Sequence, residues 1–388
     1  MTLPSRAKMS LGDLHYGIST LLALALIPFL RRLNLPVNFD WVKLASTYWL
    51  VLAAQSIFVA TLLCLIGFPA QESFRPTIQR WRKNKVLIVF WLAYFLILFW
   101  QLTGVKAFIL TVDTIAILEF RERLKPKALQ KALLAVFVPA GYLFAGFLLV
   151  FAYNDIILSV RFFGAADATF NAMDKWLFHG ASVSSLCHWA VHIFPVSFFS
   201  FLEFIYFGMF AQVGAGLLLS SLYYGKTRGL RFVGTILTAY YLALVLFYLW
   251  PSQGPYYLCP IHFSDFPNTL QVYATQKNSM MKSQALWNHL PIGRISTDYY
   301  IAFPCMHIAQ PLIALWFLRC WKRMVIVLAA YDVLLLVAVV LLEWHYVVDI
   351  LGGVLVAILA IATVDGHELW MWTRCQPVPE TVEGMSSA

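Results

Sequence analysis

Charge is scarce in this sequence. Asp, Glu, Lys and Arg make up 12% of its 388 residues and apolar residues 61%, against about 25% and 45–50% in soluble domains. That shortage excludes an ordinary soluble protein and places the chain in a bilayer, where its repeated apolar stretches of 18 or more residues have the length that crosses hydrocarbon. Cysteine is sparse too. The six, at positions 64, 187, 259, 305, 320 and 375, have neither the paired short spacing of a zinc site nor the density of a disulfide scaffold, so they leave the redox compartment open. Internal repeats and low-complexity tracts are missing. The first apolar stretch has no convincing cleavage site and leads directly into others, so it reads as a retained membrane helix.

What is present is a succession of apolar runs. They predict an all-α, polytopic transmembrane bundle of about ten spans, near 15–31, 44–67, 85–104, 106–121, 132–157, 195–222, 229–249, 304–319, 323–343 and 346–366. The stretch 106–121 is short and carries Asp113, so a re-entrant hairpin and a count of nine is the alternative. The formal net charge of +9 lies in short clusters between spans, which reads as topology-setting loop charge rather than a nucleic-acid face. Arg75, Arg80, Arg82, Lys83 and Lys85, then Arg121, Arg123, Lys125, Lys127 and Lys131, mark cytoplasmic loops. Lys226, Arg228 and Arg231, then Arg319, Lys322 and Arg323, fall on the same side, while Arg31, Arg32 and Lys43 oppose it.

This parity places two long connections, about 158–194 and 250–303, on the non-cytoplasmic face. The first carries Asp167, Asp174 and Trp176 with helical spacing and reads as an interfacial amphipathic helix. The second opens with Trp250-Pro251-Ser252-Gln253-Gly254-Pro255-Tyr256-Tyr257, whose Pro and Gly end a helix and force a turn. Three regions are expected: N-terminal helices over 1–131, a six-helix core over 132–366, and a disordered cytoplasmic tail over 367–388.

The residues that could carry chemistry stand where two spans begin. His345 and Asp349 are four apart, so on a helix they share a face, and the carboxylate can hold one imidazole nitrogen while the other is free to react. Ionisable groups at membrane boundaries tend to be functional, although a structural pair is the plain alternative. His307 begins the eighth span and His345 the tenth, with one crossing between them, so both lie at one face. Their rings are expected within about 6–7 Å across a phosphate-sized gap, from a hydrogen-bond reach of about 3 Å on either side. Pro304 suits a first helical turn, and the backbone N–H groups of Cys305, Met306 and His307 are expected to point at a bound anion.

Phe303-Pro304-Cys305-Met306-His307 followed by His345-x-x-x-Asp349 resembles the second and third signatures of the type-2 phosphatidic acid phosphatase superfamily, over roughly residues 135–366. Within it, His345-Tyr346-x-x-Asp349 and the Trp250–Tyr257 turn look most like the branch that includes inositol phosphorylceramide and sphingomyelin synthases. The resemblance implies a phosphotransferase acting on a lipid phosphate or phospho-headgroup: His345 attacks phosphorus, Asp349 orients His345, and His307 protonates the leaving oxygen. It implies no metal and no cofactor. The implied partners are a membrane lipid, such as a phospholipid, sphingolipid or prenyl phosphate, and an acceptor alcohol, and nucleic acid is not one.

The sequence also departs from that family. Cys305 stands where the family usually has Ser, replacing a strong hydroxyl donor with a weak thiol. The Lys-x6-Arg-Pro signature of the phosphatase members is missing, and Val339–Trp344, before His345, holds no Arg. Arg294 is then the expected phosphate clamp, with Lys277 and Lys282 as weaker substitutes, and Cys305, Met306 and Tyr256 complete the expected substrate contacts. The missing basic signature favours transfer over hydrolysis. A lipid or prenyl phosphate phosphatase is the alternative, and a transporter or an inactive relative is the alternative of another class.

Other residues read more plainly. Cys187, His188 and His192 could approach a metal but show no third ligand nearby, so interfacial side chains are the preferred reading. Glu203, Asp332 and Asp113 read as isolated bundle residues rather than a proton path. A Cys259–Cys305 disulfide is open if both face the same side. The aromatics read as interfacial belts and packing, with those in 250–303 able to line a lipid entrance.

Overall fold

The computed structural model describes residues 126–161, 164–258, 271–290 and 301–369, with isolated positions between 55 and 115. The expected spans before residue 126, with Asp113, and the tail after 369 lie outside the described residues, as do Cys259 and Arg294. Among the described residues every regular element is helical. They are α1 (Pro126–Val160), α2 (Asp167–Leu177), α3 (Val183–Ile193), α4 (Val196–Tyr224), α5 (Lys226–Leu249), the single turn α6 (Pro255–Leu258), α7 (Gln271–Trp287), α8 (Met306–Leu318), α9 (Lys322–Leu341) and α10 (Val347–Leu369).

Among the described residues, five segments are long and apolar enough to cross a membrane: Gln130–Val160, Val196–Tyr224, Lys226–Leu249, Lys322–Leu341 and Val347–Asp365. At 1.5 Å per residue even the shortest covers most of a hydrocarbon layer of about 30 Å. The span expected over 304–319 is a shorter apolar helix, Met306–Leu318, with Pro311 inside it. α4 and α5 are the inner helices, burying Phe199, Met209, Phe232 and Phe247, whereas α9 and α10 expose Ile326, Val333, Leu351 and Ile358. Exposed leucines and isoleucines along a spanning helix suit contact with lipid tails, which are as apolar as the side chains themselves.

The 158–194 connection forms two short helices rather than one amphipathic helix. α2 exposes Trp176 and Met173 while burying Asp167, Phe170 and Asp174, and α3 exposes Leu186 and Trp189 while burying Val183, Cys187 and Ala190. A reciprocal cap between Ser182 and Ser185 starts α3, satisfying two amides that the helix itself leaves unpaired. The carboxylates of α2 therefore face the protein and its tryptophan faces outward.

α8 packs against α4, α9 and α10, and α5 against α1, α4, α8 and α10. The approach of α8 to α10 is so close that a Cβ on Gly353 would stand 2.3 Å from the Cys305 carbonyl oxygen, so only glycine fits there.

Candidate active site

The start of α8 and the loop before α10 meet. Cys305 is the residue before α8; it is buried and its N–H donates to the Asp349 carbonyl oxygen at 2.9 Å. That bond corrects one expectation: the Cys305 amide is committed to α10. Pro304 likewise lies ahead of α8 rather than in its first turn, after a cis peptide bond. Ile308 and Ala309 donate to the Cys305 carbonyl, which leaves the Met306 and His307 amides as the first-turn donors that an anion could meet.

His345 is not on a helix. α9 ends at Leu341, Glu343 takes a left-handed backbone conformation (φ 57°), and α10 starts at Val347. The expected pair one turn apart is therefore a loop imidazole beside a first-turn carboxylate. Asp349 Oδ2 accepts the Tyr346 N–H at 2.8 Å and stands 3.5 Å from His345 Nδ1. The first contact is half of a capping box, with an N3 acid reaching back to the residue before the helix. The second is longer than the 2.7–3.2 Å of a well-formed bond, and it leaves Nε2 as the nitrogen turned from the carboxylate. Asp349 Oδ1 has no hydrogen-bond partner among the described residues. Both residues are almost fully buried.

The His307 and His345 ring centroids lie 5.6 Å apart. His307 is half-buried. It stacks on Tyr206 at 4.2 Å, and Tyr206 stacks in turn on Trp344 at 5.5 Å, so α4 fixes one ring plane and the residue before the other histidine.

Two acids of α2 support this arrangement, and their role is not legible in the sequence. Asp167 accepts the Ser252 hydroxyl at 3.0 Å and the N–H groups of Gln253 and Gly254 at 2.9 Å each, holding the Pro-rich turn. That turn sits on the histidine loop: Tyr256 N–H donates to Glu343 O, and a Cβ on Gly254 (φ 110°) would stand 2.3 Å from Trp344 O. Asp174 accepts the Val347 N–H at 3.2 Å and so caps α10, where a carboxylate also complements the helix dipole. Burial raises Asp167 to about 7 against the hydrogen bonds that lower it, and raises Asp174 to about 6.

The remaining expected residues have other surroundings. Met306 is buried beside the cluster. Tyr256 is buried, donates its hydroxyl to Ser279 at 3.2 Å and packs edge-on to Trp344. Lys282 is buried in α7, with its ammonium 2.7 Å from Asp155 of α1. Lys277 is on the same helix as Lys282, and Arg294 lies outside the described residues. Cys305 is a free thiol. Cys187 is buried with Sγ against Val340 O, while His188 and His192 are exposed with rings 4.4 Å apart. Glu203 accepts the Val272 N–H at 2.6 Å, and half-buried Asp332 lies on α9 facing Gln212 of α4.

Residues 173–363 match a family model, that of the PAP2 superfamily. The match supports the superfamily for the half of the chain that holds both histidines. It also supports a phosphatase or phosphotransferase type of activity, and with the five apolar helices it is consistent with an integral membrane protein. No curated protein and no solved structure matches the chain.

Proposed function

We propose that this PAP2-like chain is a membrane-embedded phosphotransferase acting on a lipid phosphate or phospho-headgroup through a phosphohistidine, at the non-cytoplasmic face. His345 Nε2 attacks phosphorus while Asp349 holds the Nδ1 side of the ring. His307 protonates the leaving oxygen, and the Met306 and His307 amides steady the equatorial oxygens as charge develops. An acceptor alcohol then attacks phosphorus, giving its proton to the now neutral His307 as the P–N bond to His345 breaks.

The observation that supports this best is the pair of imidazoles with centroids 5.6 Å apart, one backed by Asp349 and the other at a helix N-terminus. Transfer is preferred to hydrolysis because the Lys-x6-Arg-Pro signature of phosphatases is missing from the sequence, as in the inositol phosphorylceramide synthase-like branch. The clamp residues proposed are Arg294 first and Lys282 second. For Lys282 to act, substrate must compete with Asp155 for its ammonium.

The test incubates purified protein with labelled phospholipid or prenyl phosphate, with and without acceptor alcohols, and compares His345→Ala and His307→Ala. Acceptor-dependent product and loss of turnover in both variants are expected. Undiminished turnover in both would sink the phosphohistidine mechanism, and free phosphate formed regardless of acceptor would make the protein a phosphatase.

A further inference from the structure

The two imidazoles have a sulfur beside them. One donor atom from each of Cys305, His307 and His345 can be chosen so that all lie within 4.8 Å of one another. A tetrahedral zinc ion with Zn–S of about 2.3 Å and Zn–N of about 2.0–2.1 Å sets its ligand atoms roughly 3.5 Å apart. Side-chain rotations of about 1 Å would close the gap. One thiolate and two imidazoles form a donor set that selects thiophilic and borderline metals over calcium or magnesium.

The surroundings of the three donors point the same way. Asp349 stands behind the Nδ1 side of His345 at 3.5 Å, the carboxylate–histidine arrangement that holds a metal-bound ring in place from its far nitrogen. Among the described residues, His345 Nδ1 and Asp349 Oδ1 are both buried without a hydrogen-bond partner, so the pair has polar capacity to spare. Cys305 and His345 are buried while His307 is half-exposed, which gives an ion one side of approach. Cys187 shows the contrast: it is a buried thiol with its sulfur against Val340 O, and the exposed imidazoles of its helix are turned from it.

We propose that Cys305 Sγ, His307 and His345 bind a zinc-class divalent metal ion, with Asp349 as the supporting carboxylate. The Cys305 S–H bond breaks, its proton passes to solvent, and the sulfur lone pair bonds the metal with no change of oxidation state. Three protein ligands leave a fourth position for water or a phosphate oxygen. Binding itself does not depend on the proposed function. Its consequence does: a metal on His345 occupies the lone pair that would attack phosphorus, so the ion inhibits phosphoryl transfer.

The test uses the full-length chain in detergent, freed of metal by a chelator. Zn²⁺ is titrated in competition with a chromophoric chelator, and Co²⁺ alone is added to look for a thiolate-to-cobalt charge-transfer band. One equivalent of zinc and the cobalt band are expected in the native chain. Cys305→Ser should abolish the band and weaken zinc by more than the about 10–100-fold that loss of a supporting residue costs. Asp349→Asn should keep the band with zinc weakened by about that 10–100-fold, and Cys187→Ser should change neither. No cobalt band in the native chain, or a band that survives Cys305→Ser, overturns the site. If zinc binds as expected and metal-free protein turns over no lipid phosphate, the metal site stands and the proposed function falls. Turnover without metal binding gives the reverse.

Discussion

α10 buries a carboxylate near each of its ends, and the two are treated differently. Asp365 has Arg228 at 3.1 Å, Arg231 at 3.6 Å and the Trp316 indole N–H at 3.3 Å, with the Arg228 guanidinium also over the Phe317 ring. Asp349, about 24 Å away at 1.5 Å per residue, has no guanidinium or ammonium in contact among the described residues. It has one backbone N–H and a histidine at 3.5 Å; each acid keeps one oxygen without a hydrogen bond among the described residues, but that of Asp365 faces the Arg231 guanidinium at 3.6 Å. A buried acid matched with arginines is compensated and closed. One left to an imidazole retains unspent polarity, which suits a group that must serve a reacting ring. The comparison places a compensated anchor at one end of the bundle and the proposed chemistry at the other.

That difference is sharpened by substitutions at each end. His345→Ala has the largest expected effect: with no nitrogen to phosphorylate, acceptor-dependent turnover falls to background in the labelled-lipid assay. His307→Ala follows, with a loss of about 10²–10⁴-fold in rate, the usual worth of a general acid, and a normal thermal unfolding midpoint. At the other end Arg228→Met should reverse the pattern. Breaking a buried ion pair costs about 3–5 kcal/mol, and the remaining Arg231 moves the expected loss toward the lower figure. It is read as a lowered unfolding midpoint, with the residual folded protein still turning over. A turnover loss as deep as that of His345→Ala, at unchanged stability, would break the division between the ends.

Asp174→Asn tests the support of the histidine end. Losing a good cap at a helix N-terminus costs about 0.5–2 kcal/mol, and Asn retains part of the interaction. A small drop in unfolding midpoint is therefore expected together with a larger drop in kcat, because the Val347 N–H that Asp174 holds is two residues from Asp349. Equal falls in stability and in folded-fraction activity would make Asp174 an ordinary cap.

Much of this division is legible in the sequence. The apolar runs after residue 130 predict the spanning helices to within a few residues, because hydropathy over about 20 residues is set by the bilayer rather than by neighbours. Counting crossings brings Cys305, His307, His345 and Asp349 to one end, although their roles remain proposed. What local spacing does not carry is where a partner comes from. Asp167 and Asp174 read as the polar side of an interfacial helix, yet both turn inward, because the donors they meet, the Ser252 hydroxyl and the amides of residues 253, 254 and 347, lie far along the chain. The i, i+4 spacing of His345 and Asp349 suggests a shared helix, but α10 starts between them. Lys282 reads as a loop cation available to phosphate, and its contact with Asp155 of α1 depends on how α7 packs.

The smallest expected effect concerns Asp167, and its sign is the informative part. Burial raises this acid from 3.8 to about 7 in the folded protein. A raised folded value means that the protonated form is the one folding favours. The stabilisation is then fully present below about pH 4 and is lost as pH rises through about 7. Asp167→Asn cannot titrate; its one oxygen can still accept the Ser252 hydroxyl and the Gly254 N–H, while the Gln253 N–H loses its acceptor, a cost that does not vary with pH. The unfolding midpoint of the native chain minus that of Asp167→Asn should therefore decline between pH 4 and 7 and level off above it. Asp174, raised to about 6, titrates in both proteins and cancels in the difference. A difference that grows with pH would mean that the carboxylate is stabilised by its three hydrogen bonds more than burial penalises it. The α2 acid would then be matched as Asp365 is, and the contrast between compensated and uncompensated acids would be confined to Asp349.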